Sequence, residues 1–405
     1  MQALPDDTFS VEGYFKNFSV LFVLPPYTQE ETTIDFPEMG AVNNRLRLKL
    51  SLRSVSWLSF HFAYDISPRI QDHALFEENT LFVGLRLLEY RVTDFRERLY
   101  PEPGEPLSSF ALFHNLDRFS MTIATPFADI FIGRQAIAWG SARVINPTDI
   151  IAPFTFNELD REERRGVDAV RVRIPLGMMD ELDMGFVAGK HFAPDKNAYF
   201  LRGKFYVFKT DVSLILLGFR KHLLIGADFA RSIGGAGFWL ETAYVIPDFF
   251  REGKNPEEKH YFRASVGLDY NLTSKTYGFV EYHFNSAGRD NPDFYLGLFN
   301  SSAYQDGSVY LMGRHYVNIG CMYQLSPLIS STGIFIYNAS DGSFILSPLI
   351  EYNIAENIYL SAGAYISIGK NPELVLGPLV PLLLRLRSEF GTYPEMVFTS
   401  FRIYF

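Results

Sequence analysis

Runs of about ten residues that alternate strictly between apolar and polar recur along the whole chain, and this pattern constrains the fold more than any other feature. In NRLRLKLSLR, residues 44–53, the leucines 46, 48, 50 and 52 fall on one side of an extended strand while Arg45, Arg47, Lys49, Ser51 and Arg53 fall on the other. YFRASVGLDYN, 261–271, repeats the pattern with Phe262, Ala264, Val266, Leu268 and Tyr270, and NIYLSAGAYISIG, 357–369, repeats it again. Each run matches the 9–11 residues that a tilted strand needs to cross a bilayer, whereas soluble strands average about five or six. Fifteen consecutive strands are expected between residues 116 and 405, joined by connections that alternate between tight (KT, IGGAG, TSK, SP, AEN) and long.

Short turns on one rim and long loops on the other are the layout of an outer-membrane barrel. The expected fold is therefore all-β, a transmembrane antiparallel barrel of about 18 strands within a range of 16–20. Segments 42–53, 57–67 and 79–91 bring the count to eighteen. Residues 1–41 are expected to form a periplasmic N-terminal segment, with 9–22 as an alternative first strand, and residues 42–405 the barrel. Its long extracellular loops are placed near 140–165, 247–259, 286–313 and 369–394.

The chain ends on MVFTSFRIYF, in which Val397, Phe401, Ile403 and the terminal Phe405 share one strand face. This ending resembles the C-terminal signature of bacterial outer-membrane proteins, which implies the barrel assembly machinery as a partner and the outer membrane of a Gram-negative cell as the location. Closing such a sheet requires the last strand to pair with the first, expected at 42–53 or, on the alternative count, at 9–22.

Composition excludes several other classes. The 405 residues include 38 Phe and 23 Tyr, a bias toward strands, and a formal charge of −9 argues against nucleic acid as a partner. A single cysteine, Cys321, removes a disulfide framework and every Cys-based zinc pattern. No apolar run is long enough for a membrane-spanning helix, and MQALPDDTF lacks the features of a signal peptide. There is no nucleophile elbow, phosphate loop, HExxH pair or haem-attachment motif, so neither an enzyme nor a cofactor is expected. Glu281 and His283 share the inward face of one strand and are read as a polar lumen network.

Two groups of residues are candidates for function. Arg45, Arg47, Lys49, Arg171, Arg173, Arg202, Lys204, Arg263 and Arg402 are expected to line the pore, giving a net basic wall inside an acidic chain. Such a wall either favours anions or neutralises acidic loops folded inside. Arg134, Arg143 and Asp149 are expected to set the field of a constriction built from the loop 140–165, whose charges run E-L-D-R-E-E-R-R over 158–165. GRQAIAWG followed by NPTD, within 133–149, resembles porin-like outer-membrane proteins of environmental proteobacteria, including the barrels of porin–cytochrome conduits. Two functions are consistent with these features. The first is a channel for small hydrophilic solutes. The second, from the resemblance, is a sheath enclosing a periplasmic multihaem cytochrome in an electron-transfer conduit.

Overall fold

The computed structural model describes residues 8–29, 32–76, 90–95, 98–154, 158–251, 258–375 and 383–405. Eighteen antiparallel strands form a closed barrel: β1 (Phe9–Val23), β2 (Met39–Val55), β3 (Leu58–Gln71), β4 (Phe110–Ala124), β5 (Asp129–Gln135), β6 (Val167–Pro175), β7 (Glu181–Ala188), β8 (Ala198–Val207) and β9 (Thr210–Phe219) make one half. The other half is β10 (His222–Ile233), β11 (Ala236–Ile246), β12 (Tyr261–Asn271), β13 (Thr276–Asn285), β14 (His315–Ser326), β15 (Ile329–Asn338), β16 (Phe344–Ala355), β17 (Ile358–Ile368) and β18 (Glu395–Tyr404). Consecutive strands pair, and β18 pairs with β1.

The total of eighteen agrees with the alternation, but its first member does not. The segment 9–23 is a barrel strand, paired to β2 on one side and β18 on the other, so it belongs to the barrel and not to a separate N-terminal segment. Its alternation is poor, since Asn17 and Ser19 share the outward face with Phe15 and Leu21; its two neighbours place it, not its own period. The strand expected at 79–91 lies mostly outside the described residues, and Tyr90 and Arg91 are not in a strand. β3 pairs directly with β4, so no barrel strand intervenes there.

The last strand closes against 9–23 rather than 42–53, in register from Tyr14 opposite Tyr404 to Val23 opposite Glu395. The terminal residue completes the ladder. Gly13 N–H donates to Phe405 O at 2.7 Å, and Phe405 N–H donates to Gly13 O at 3.0 Å. The Phe405 ring lies over Gly13, where an added Cβ would sit 2.6 Å from both the ring and the Arg47 carbonyl oxygen.

The outward surface is that of a membrane barrel. Leu48, Leu214, Leu216, Ile225, Val280, Ile319 and Ile350 are exposed at mid-height. Aromatic side chains flank them toward both rims: Trp57, Phe127, Phe208, Tyr323 and Phe405 at the rim of short turns, and Phe110, Tyr199, Tyr244 and Phe250 at the rim of long loops. Inside, polar residues occupy mid-height, while the long-loop half carries apolar residues on both strand faces. In β9, TDVSLILLGF, Leu214 and Leu216 face out while Ile215, Leu217 and Phe219 are buried inside. Such a two-sided run requires a second apolar layer within the lumen.

Gly13→Val tests the seam. With no room between the Phe405 ring and the Arg47 carbonyl, the variant is expected to lose about 1–3 kcal/mol by overpacking. Loss of the compact, heat-modifiable band on unboiled gels at a lower temperature than for the parent would show it; an unchanged transition would mean that the seam is not packed as described.

Candidate functional site

Between β5 and β6 the chain leaves the wall, and the described residues 136–154 and 158–166 fold inward. Trp139 packs edge-on against Phe200 of β8, ring centroids 4.8 Å apart, and Ile150 and Ile151 join Val187, Leu217, Phe219 and Val245 in a buried cluster. Tyr295, Leu298, Tyr304 and Met312, from the loop between β13 and β14, complete this inner layer. They supply the partners that the two-sided strands require.

Two wall glutamates then fix the loop at mid-height. Glu241 of β11 accepts the N–H groups of Ser141 and Ala142, each at 3.1 Å, and both the N–H and the hydroxyl of Thr148 at 2.8 and 2.7 Å. Glu281 of β13 accepts from Arg143 N at 2.7 Å, Ile145 N at 3.1 Å, Trp239 Nε1 at 3.1 Å and Asn318 Nδ2 at 3.1 Å. Both carboxylates are fully buried. A buried carboxylate is tolerable only when its lone pairs are filled, and loop backbone fills them here.

The later limb of the loop is tied to a different part of the wall. Lys16 of β1 donates to Asp160 at 2.9 Å and to Glu162 at 2.8 Å. Arg45 of β2 pairs with Asp160 at 3.0 Å, and Lys49 and Arg47 pair with Glu163. Arg402 of β18 reaches Glu162 at 2.7 Å, where the Tyr404 hydroxyl also donates at 2.6 Å. β11 and β2 lie nine strands apart in a ring of eighteen, so they face each other across the lumen. A loop tied to both must cross the bore. Arg164 pairs with Asp149 and donates to Ala152 O at 2.6 Å, clipping the two limbs together.

Beside the later limb, a cavity of about 330 Å³ lies against β2, β3 and β4, lined by Arg45, Asp65, Arg69, Asn115, Glu158, Asp160 and Arg165, with Phe95 and Phe113. Charges of both signs border it.

The expected pore-lining bases are all engaged. Arg47 pairs with Asp65 at 2.8 Å and with Asp117, Arg171 with Asp183 at 2.6 Å, Arg173 with Glu181 at 3.8 Å, and Lys204 with Asp211 at 3.9 Å. Arg202 donates to Ser213 at 3.1 Å, and the buried Arg263 donates to Ser308 O at 2.7 Å. Arg402 also pairs with Glu351.

Of the three constriction candidates, Arg143 is in the bore, half-exposed, paired to Asp269 at 2.7 Å and stacked over Trp239 at 5.2 Å. Asp149 is buried beneath the loop, where burial pushes its carboxyl up to about 6 against the pull of Arg164. It braces the loop and faces no solute. Arg134, opposite Phe119 in the ladder, is buried and bound to Asp168 at 2.7 Å and Asp94 at 2.6 Å. Its partners among the described residues include none from the crossing segment 140–154. The positive φ of 110° at Gly133 breaks the regular backbone just before it, and β5 stops one residue later.

Sequence reasoning missed Lys16, which followed from reading 9–22 as an alternative strand, and Glu389, which has no strand pattern around it. Glu389 is buried in the loop before β18 and accepts from Met312 N at 2.9 Å, Asn338 Nδ2 at 2.8 Å and the Tyr316 hydroxyl, latching that loop to the one between β13 and β14. The pair Ser265 and His283, 2.8 Å apart, is fully buried, and Ser265 Oγ donates to Ile145 O at 2.6 Å. It holds the loop and is closed to solvent.

Comparison with solved structures agrees with this architecture. OccAB2 of Acinetobacter baumannii is similar at TM-score 0.57 and 10% identity, covering 98% of each chain. The fold is that of the outer-membrane porins. OpdK of Pseudomonas aeruginosa, solved with vanillate, is similar at TM-score 0.56 and 7% identity over 100% of each chain. OccD3 (OpdP) of the same organism is similar at TM-score 0.55 and 9% identity, covering 100% of this chain and 92% of that one. No protein-family model matches the sequence, and no curated protein does.

Two predictions follow from the anchors. Glu281→Ala leaves the Arg143, Ile145, Trp239 and Asn318 donors without their acceptor, at about 1–3 kcal/mol for each that finds no water. Protease nicking within 140–165 should rise several-fold while the barrel stays heat-modifiable; parental resistance would count against the anchor.

Glu389 is pushed up to about 8 by burial, with Asp341 adding to the effect. A released Glu389 would titrate near 4.5, so the latched form is favoured fully below that value and loses its advantage as pH rises through about 8. Hydrogen exchange at the Met312 and Gly313 amides should accelerate, beyond its intrinsic pH dependence, between pH 5 and 8, and Glu389→Gln should remove this excess.

Proposed function

We propose that the chain is an integral outer-membrane channel that passes small hydrophilic solutes through a bore narrowed by residues 140–165. The observation that carries this reading is the loop tied at Glu241 and Glu281 on one side and at Lys16, Arg45 and Lys49 on the other, so that it crosses a polar mid-height lumen. The outward apolar belt, the aromatic rims and a fold shared with outer-membrane porins support the location. On this reading the long loops face the outside of the cell and the short turns face the periplasm.

The solute class follows from the walls. Each of the nine wall bases expected to favour anions is engaged by a carboxylate, a hydroxyl or a carbonyl, which favours a weakly selective pore over a strongly anion-selective one. The mixed-charge cavity of about 330 Å³, with Arg69 stacked 4.4 Å over Phe113, suits a small solute carrying both polar and aromatic character. OpdK was solved with vanillate, a solute of that kind.

The sheath reading receives less support. A loop that crosses the bore, and the apolar layer beside it, give the lumen to the chain's own residues instead of a cytochrome.

Deleting residues 143–163 removes the crossing loop while leaving every barrel strand intact. Single-channel conductance in planar bilayers should increase at least twofold, with the heat-modifiable band retained. A folded deletion variant that conducts no more than the parent would overturn the assignment of this loop as the constriction.

A further inference from the structure

Lys16, Arg45 and Lys49 project from adjacent strands β1 and β2 at mid-height, and their ion-pair partners have one origin. Lys16 pairs with Asp160 and Glu162, Arg45 with Asp160, and Lys49 with Glu163. Among the described residues, none of the three forms an ion pair with an acid of the wall. Arg47, between them, also reaches Glu163 at 3.3 Å but differs in being paired to Asp65 and Asp117 of the wall as well. Arg402 is intermediate, bound to Glu162 of the loop and to Glu351 of the wall.

The ion-pair partners of these three cations are therefore carboxylates of the loop, while the wall acid Glu12, across from Lys49 in the ladder, is not within ion-pair distance of it. Tyr14 adds to the surface: its ring lies 4.2 Å from Lys16 Nζ and 5.5 Å from Lys49 Nζ, gathering the cations around one aromatic face. The contact is not sealed from solvent. Lys16 is fully buried, but the side chains of Arg45 and Lys49 are 37% and 35% exposed and that of Glu162 is 37% exposed. The cavity bordered by Arg45, Asp160 and Glu163 opens beside it.

We propose that Lys16, Arg45, Lys49 and Arg402 form a binding site for a compact oxyanion of two or more charges, and that Asp160, Glu162 and Glu163 are its resident intramolecular occupant. The proposal rests on the channel reading only for its consequence, not for the site itself. A tethered segment competes at an effective concentration on the millimolar scale, so a monovalent anion does not displace three carboxylates held in register. A multivalent anion competes at several points at once. When it does, the limb 158–165 leaves the wall, the crossing loop is freed at one end, and the bore widens. The loop thus acts as an autoinhibitory strap that responds to the charge multiplicity of the solute.

The experiment uses the purified full chain in detergent, inorganic pyrophosphate as the probe and chloride at matched ionic strength as the control, so that simple screening is equal in both arms. Calorimetric titration compares the parent with D160N/E162Q/E163Q, which keeps the wall cations and removes their occupants. The triple variant should bind pyrophosphate at least tenfold more tightly than the parent, and E162Q alone should lie between them. Adding K16M and K49M to the triple variant should abolish the gain. Heat-modifiable migration identifies which variants are folded, and E162Q carries the comparison if the triple variant does not assemble. Equal affinity in parent and variants, or no binding to any folded variant, would overturn the site.

Bilayer recordings form the second arm. Millimolar pyrophosphate should raise the conductance of the parent, whereas matched chloride should not, and the triple variant should conduct more without pyrophosphate. Tighter binding by the variants with no conductance from any of them would leave the site standing and overturn the channel reading. Parental conductance indifferent to pyrophosphate, with binding intact, would overturn the strap's role.

Discussion

The architecture depends on one requirement: every polar group of the backbone and every buried charge must find its partner within the chain, because neither the bilayer nor a packed lumen offers water. The wall meets it by closure, with the ladder of β18 continuing through Phe405 onto Gly13. The lumen meets it with carboxylates. Glu241, Glu281 and Glu389 each accept N–H groups from segments that have no strand or helix of their own, so irregular backbone is held inside without a regular hydrogen-bond pattern.

This division explains how the two ends of the barrel differ. Toward the short turns the inward face carries charged and small polar residues, as in Arg173, Glu181 and Lys204. Toward the long loops it becomes apolar, and the loops return to cover it. Loop length is therefore not simply exposed chain. Residues 136–152 and 294–312 are as much core as the strands, with Ile150, Ile151, Tyr295 and Met312 excluded from solvent.

How far this was legible in the sequence depends on the range of the interactions concerned. The alternation in 44–53, 261–271 and 357–369 is local, and it gave the facing of Leu48 and Arg47 correctly; the total of eighteen agreed, but with 79–91 counted and 9–23 left out. β1 escaped because its period is blurred by Asn17 and Ser19, and only pairing with two distant strands defines it. In the site, the density of charge in 158–165 was visible, but the destination of each charge was not. Glu162 and Arg402 are 240 residues apart, and no spacing rule joins them. Arg134 is a further case: GRQ gave no sign that its partners would be Asp94 and Asp168, 40 and 34 residues away.

The crossing loop also has a mechanical meaning. An open cylinder of eighteen strands resists stretching along its hydrogen bonds but yields easily to flattening, since ovalisation only changes the angles between neighbours. Ser141 is tied to β11 and Asp160 to β2, on opposite sides of the bore, and the Arg164–Asp149 clip links the two limbs. They act as a spoke, so lateral pressure from the surrounding lipid is borne partly by ion pairs in the lumen. If the strap is released as proposed, the cross-section of the barrel would change along with the width of its passage.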